Sequence, residues 1–261
     1  MMINESSIVH KELSYTSSER PLQKLDLYLP PPSTEIDCYP PVVVIIHGGA
    51  WRSGDKNEFT KLGRQLSLYY AVAIVNYRLT TKDTPEIKNP LHVEDVAASI
   101  SWVSSYAKEY GYRDDRIYLV GKIRGVIGVE GIYDLINLLE SYPKYIEFVQ
   151  PAFGNDKNIL KSVSPQYITL NTKIPPYLLI HSLDDELVDI DQSNNYFEHI
   201  KNSGGKIIEI ETSLKGNHDE VMQTDELIQK ITEFIITQES REASWNQVVE
   251  AAMKSINFPT I

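Results

Sequence analysis

A chain of 261 residues is long enough to bury a large core, and a formal net charge of −11 with a pI near 5.0 argues against nucleic acid or an anionic membrane as partner. The one cysteine, Cys38, cannot form an internal disulfide, and no run approaches the roughly 20 apolar residues of a membrane span. A cytoplasmic protein is therefore expected. Met1 to Glu12 lacks an apolar signal region, so the sequon Asn4-Glu5-Ser6 reads as coincidence.

The first elements are two alternating stretches, Ile8 to Tyr15 and Leu22 to Leu29, joined by Ser17-Ser18-Glu19-Arg20-Pro21; they predict a hairpin at a sheet edge. Val42-Val43-Val44-Ile45-Ile46 follows, a β-branched run with the habit of a strand buried on both faces. It ends in His47-Gly48-Gly49-Ala50-Trp51. In acyl-transfer enzymes such a turn presents bare N–H groups to an oxyanion, whereas an isolated Gly-Gly is more often a plain strand-ending turn.

Phe59, Leu62, Leu66 and Tyr69 keep helical spacing, and Ala71 to Tyr77 is a second buried strand, so a strand-helix-strand unit and a parallel sheet are implied. A long amphipathic helix is predicted from Val93 to Ala107; His92 and Asp95 lie on its first turn, where an acid ordinarily serves the helix dipole. After Arg113-Asp114-Asp115-Arg116, the run Ile117-Tyr118-Leu119-Val120-Gly121 is a third buried strand.

Four landmarks in order, His47 to Trp51, Asn76-Tyr77-Arg78-Leu79, His92 to Trp102 and Asp115 to Gly121, resemble the α/β-hydrolase fold. The resemblance is to the esterase and lipase branch carrying an HGG motif, and within it to kynurenine formamidases of the fungal type, which hydrolyse N-formyl-L-kynurenine in tryptophan breakdown. It runs from about Leu22 to about Phe234. The implied fold is α/β, a mostly parallel sheet with helices on both faces.

That family continues with a nucleophile elbow, Gly-x-Ser-x-Gly, and a helix behind it. This chain reads Gly121-Lys122-Ile123-Arg124-Gly125-Val126-Ile127-Gly128-Val129-Glu130-Gly131, and no Gly-x-Ser-x-Gly occurs anywhere in it. Parallel neighbours need a crossover of a dozen or more residues, so the expectation is one long strand from Ile117 to Val129 or an antiparallel pair, with the sheet stripped of a covering helix.

Downstream, Gly131-Ile132-Tyr133-Asp134 leads into a short helix and an aromatic-rich, cap-like region at about 142–170. Tyr177-Leu178-Leu179-Ile180-His181 is another buried strand. Matching the family's His-Gly-x-x-Asp onto His181 to Asp185 implies Asp185 as the triad acid, with Asp184 the near rival; His218, after the strand Lys206 to Ile210, is the implied general base. His10, His92, His181 and His199 have weaker claims. Gly48, Gly49 and Ala50 are assigned to the oxyanion turn, His47 and Trp51 to its motif, and Tyr77 and Tyr133 to substrate binding.

A helix from Leu227 to Ile236 closes a unit expected to span 1–238, and 239–261 reads as a tail with a short helix around Trp245, Val248, Val249 and Met253. No cofactor is implied, and no metal, because ligand-type spacing such as His-Glu-x-x-His is missing. The partner is a small ester or formamide. Ser53, Ser162, Ser164 and Ser182 are the serines near pocket segments, but none sits on a strand-to-helix elbow. The reading adopted is a serine-hydrolase chain without its nucleophile, inactive and a spliced or shortened form; the alternative is a non-catalytic ligand-binding or regulatory protein.

Overall fold

The computed structural model describes residues 7–18, 20–31, 39–118, 123–170 and 174–240. Asn4-Glu5-Ser6, Cys38, the Gly121–Lys122 junction and the tail positions Trp245, Val248, Val249 and Met253 lie outside the described residues.

The edge hairpin forms as read: β1 (Ile8–Ser14) pairs antiparallel with β2 (Lys24–Leu29), which pairs antiparallel with β4 (Ala71–Val75). From there the sheet is parallel, through β3 (Val42–Ile46), β5 (Ile117–Tyr118), β6 (Ile123–Val129), β7 (Tyr177–Ile180) and β8 (Ile208–Glu211). The spatial order is β1-β2-β4-β3-β5-β6-β7-β8.

Side chains alternate across the sheet, so each strand feeds two cores. Val43 and Ile45 pack on the face covered by α1 (Thr60–Leu66) and α9 (Asp225–Ser240), through Leu62, Leu66, Ile231 and Phe234. Val42 and Val44 face the opposite core with Ile100 and Val103 of α2 (Leu91–Ser105), after which the short α3 (Ala107–Tyr110) ends at left-handed Gly111. Continuous β-branched runs are what a strand buried on both sides requires.

The expected treatment of β5 and β6 is corrected: they are neither one strand nor antiparallel, but parallel neighbours with Ile117 beside Ile123 and Tyr118 beside Gly125. The direction is set by the outer neighbours: β5 pairs parallel with β3, and β6 pairs parallel with β7 over Val126 to Val129, so the two run the same way where they meet. The sheet face is covered in part: Ile127 and Val129 of β6 stay half-buried and line a cavity, while other positions are packed. Phe234 of α9 lies so close to Gly125 that a Cβ there would meet its ring at 2.8 Å, and Val43 stays 5% exposed.

The polypeptide between β6 and β7 carries α4 (Leu135–Ser141), α5 (Ile146–Phe153) and α6 (Lys157–Val163), and Asp134 caps α4 by accepting from the N–H groups of Ile136 and Asn137. This layer rests on the motif turn, with Trp51 edge-on to Phe153 at 4.6 Å and Arg52 over the Phe148 ring. α7 (Ile190–Asn202) links β7 to β8, and α8 (His218–Val221) follows β8.

Candidate active site

Every residue assigned to chemistry leaves the sheet at the carboxyl end of a parallel strand, where ligands bind in open α/β sheets. Beyond β3, the chain enters an unusual run of positive φ: Gly49 at 101°, Ala50 at 51° and Trp51 at 60°. Left-handed backbone costs a non-glycine residue of order 1 kcal/mol or more, so this turn is held by its surroundings. The Arg52 and Ser53 N–H groups both donate to Gly49 O at 3.0 Å, and the Tyr77 hydroxyl donates to His47 O at 3.2 Å while stacking on the His47 ring. The fold-back leaves no room at Gly49 or Gly54, where a Cβ would sit 2.2 Å from Ser53 O and 2.5 Å from His47 Nδ1. Among the described residues, the N–H groups of Gly48, Gly49 and Ala50 donate to no acceptor. All three residues line the cavity, where unpaired N–H groups are the donor type an oxyanion needs. Burial pushes the His47 imidazole toward its neutral form.

Across the site, Asp185 is fixed by its own loop. Its Oδ1 accepts from the N–H groups of Leu187 at 2.8 Å and Val188 at 2.9 Å, leaving Oδ2 to meet His218 Nδ1 at 2.8 Å. Asp185 is thus the carboxylate on the ring; Asp184 instead accepts from Gly216 N at 3.5 Å. Asn217 and Glu220 form a capping box that starts α8 and fixes where His218 stands. This is the geometry in which an acid orients an imidazole as a base.

The four candidate serines are all turned to backbone carbonyls: Ser53 to Gly49, Ser162 to Ile159, Ser164 to Leu160 and Ser182 to Gly216. Among the described residues no serine hydroxyl pairs with the His218 ring. Of the weaker histidines, His181 bonds Ser193 and the Val188 carbonyl, His199 bonds Ile168 O, His92 bonds the Thr80 hydroxyl, and His10 lies edge-on to Tyr110. Asp95 does more than serve a helix dipole, for its buried carboxylate grips Arg78.

His47 to Gly54, Tyr77 and His218 line one cavity of about 950 Å³, which runs down between the sheet and α1 past Val43, Leu62, Leu66 and Ile127. Tyr77 is therefore both cavity wall and brace. Tyr133 lies elsewhere: it stacks on Tyr196 at 4.3 Å, its hydroxyl is buried without a hydrogen-bond partner, and it is not among the residues lining the cavity. Its ring fills the space over Gly128 and Gly131, where a Cβ would collide with it.

Sequence reasoning passed over Glu130. It ends β6 at φ 47°, is 4% exposed, and aims Oε2 to 3.5 Å from His218 Nδ1. Burial first, then the neighbouring Asp185 charge, push its carboxyl up to about 8. Glu130, Asp185 and His218 are also the one trio among the described residues whose ligand-type atoms lie close enough to surround a cation. The signal available in sequence was an acidic residue closing an apolar strand directly before a glycine.

Residues 25–127 match the BD-FAE family. A "Probable isoprenylcysteine alpha-carbonyl methylesterase" of Arabidopsis thaliana is 28% identical over 77% of this chain, and a "Kynurenine formamidase" of Meyerozyma guilliermondii is 27% identical over 74%. The chain spans 49% of the first relative's length and 83% of the second's. Among solved structures, esterase B from Lactobacillus rhamnosis superposes with a TM-score of 0.77 at 21% identity, covering 95% of this chain and 92% of that one. A truncated carbohydrate esterase from gut microbiota gives 0.74 at 19% identity, covering 92% and 99%. The parallel sheet and these superpositions give the chain the α/β-hydrolase fold, and the sequences it resembles over most of its length are esterases and kynurenine formamidases.

Proposed function

We propose that this chain is an esterase or arylformamidase-like hydrolase that keeps the apparatus for holding a carbonyl substrate but has lost the group that attacks it. The observation that carries this is the His218–Asp185 pair at 2.8 Å, sharing a cavity with a turn whose Gly48, Gly49 and Ala50 N–H groups donate to no acceptor among the described residues, in a sequence without Gly-x-Ser-x-Gly. In the intact design a serine attacks the carbonyl, His218 moves its proton, Asp185 holds the ring, and Gly48, Gly49 and Ala50 receive the oxyanion. Here the first of these is missing, and losing a triad nucleophile costs on the order of 10⁶ in turnover. The kynurenine formamidase relatives support an arylformamide and a role in tryptophan breakdown; the plant methylesterases support a carboxylic ester. We read the chain as a shortened form of an active gene product, in which the elbow and its helix are missing between Gly121 and Lys122. The cavity of about 950 Å³ favours a second reading, a binding protein without turnover.

Purified protein should be assayed on N-formylkynurenine and on a short-chain aryl ester. The expected result is turnover far below the 1–10³ s⁻¹ usual for enzymes. Turnover in that range, abolished by Ser53→Ala or Ser182→Ala, contradicts the proposal. The encoding transcript, read across the Gly121–Lys122 junction, separates the two readings, because a shortened form predicts a neighbouring coding segment with a Gly-x-Ser-x-Gly.

A further inference from the structure

Glu130 is placed with more care than a strand-ending residue needs. Its N–H donates to Ile180 O at 2.8 Å, tying the end of β6 to β7, and its Oε1 accepts from Ser182 N at 3.3 Å. These two bonds leave Oε2 buried, without a hydrogen-bond partner, and 3.5 Å from the ring nitrogen that Asp185 Oδ2 contacts at 2.8 Å. An unpartnered buried carboxyl oxygen costs free energy, more so as an anion beside another carboxylate. A proton held among the three groups relieves both costs.

We propose that Glu130 is a positioning residue for His218: a second carboxyl group that shares a proton with the Asp185–His218 pair, so that the three change protonation as one unit. The use of this unit as a base rests on the function proposed above, but the coupling itself exists whether or not the chain turns over substrate. With Glu130 neutral beside a neutral imidazole, or ionised beside an imidazolium, the cluster carries the same total charge. A proton can therefore pass between the two groups with no change in the net charge of the site.

The groups that face Glu130 are Asp185 and Glu186 from the loop after β7, and His218 and Asp219 from α8. His181 stands behind them, its Nε2 3.6 Å from Asp185 Oδ2, and burial favours its neutral form. The raised Glu130 carboxyl is mainly a desolvation effect, with Asp185 the largest charge contribution.

The test is an NMR titration of the whole chain, following the His218 Cε1–Hε1 signal, assigned with His218→Gln, alongside the Glu130 side-chain carboxyl carbon. In the wild type both signals should respond in two common steps separated by about one pH unit or more, as coupled sites do. Glu130→Gln keeps the size and the acceptor for Ser182 N–H, and should reduce the His218 response to one step. Glu186→Gln should leave two steps, because that side chain is not on the ring nitrogen. A single step in the wild type, or identical His218 curves in wild type and Glu130→Gln, overturns the proposal. The wild-type curve decides even if a variant fails to fold, and neither outcome depends on catalysis.

Discussion

Replacing Asp95 by alanine removes the acceptor that anchors the end of β4. Its carboxylate takes Gln23 Nε2 at 2.7 Å, Arg78 N at 2.9 Å, Arg78 Nε at 2.7 Å and Arg78 Nη2 at 2.6 Å. The acid side chain is 2% exposed and the arginine side chain 16%, so the pair is largely desolvated and the arginine loses its main counter-charge. Breaking a buried pair from one side costs about 3–5 kcal/mol, and the partial access of water to Arg78 places this case near the lower end, about 3 kcal/mol. Asp95→Asn keeps the volume and some acceptor capacity, so it should cost less, about 1–2 kcal/mol. The effect reaches the cavity because Arg78 directly follows Tyr77, whose hydroxyl braces the turn after β3. Urea denaturation with a double-mutant cycle over Asp95→Ala and Arg78→Ala gives the coupling directly. A loss under 1 kcal/mol for Asp95→Ala, or additivity in the cycle, refutes the reasoning.

Gly49→Ala should be far more damaging than Gly204→Ala. Both sites have positive φ, at 101° and 94°, but only the first places a Cβ 2.2 Å from a backbone oxygen, whereas the second has open space. Chemical denaturation should show about 1 kcal/mol for Gly204→Ala and several times that for Gly49→Ala. Glu130 makes stability fall as pH rises: the unfolded carboxyl ionises at its ordinary 4.5 while the folded one waits until about 8, so the favourable contribution is complete below 4.5 and lost through 8. Relative to wild type, Glu130→Gln should gain stability between pH 5 and 8.5, on the order of 2 kcal/mol, in denaturation curves across that range; parallel curves contradict it. Tyr133→Phe deletes a buried hydroxyl that has no partner, so thermal melting should show no loss of stability and titration no change in ligand affinity.

Much of this was legible in local pattern. Val42 to Ile46 could only be a strand buried on both faces, the Ser17 to Pro21 link forced a hairpin, and Asp185 and His218, paired by chain order, meet at 2.8 Å. What escaped depended on strand neighbours. Glu130 acquires its role only because β6 lies beside β7, which brings Ser182 and Asp185 to it across the sheet end. Tyr133 was placed by type rather than direction, and Gly128 and Gly131 open the space that draws its ring away from the cavity. The β5–β6 pairing was misjudged because chain order alone does not reveal that β3 on one side and β7 on the other orient both strands the same way.

The central claim is that no hydroxyl stands ready to attack at this site. Intact-mass analysis after incubation with a fluorophosphonate, which forms a covalent adduct with the activated serine of such enzymes, tests it most directly, with a serine-bearing relative as positive control. The account predicts an unmodified chain under conditions that fully label the control. Stoichiometric labelling that maps to one serine and is lost in His218→Ala would contradict it.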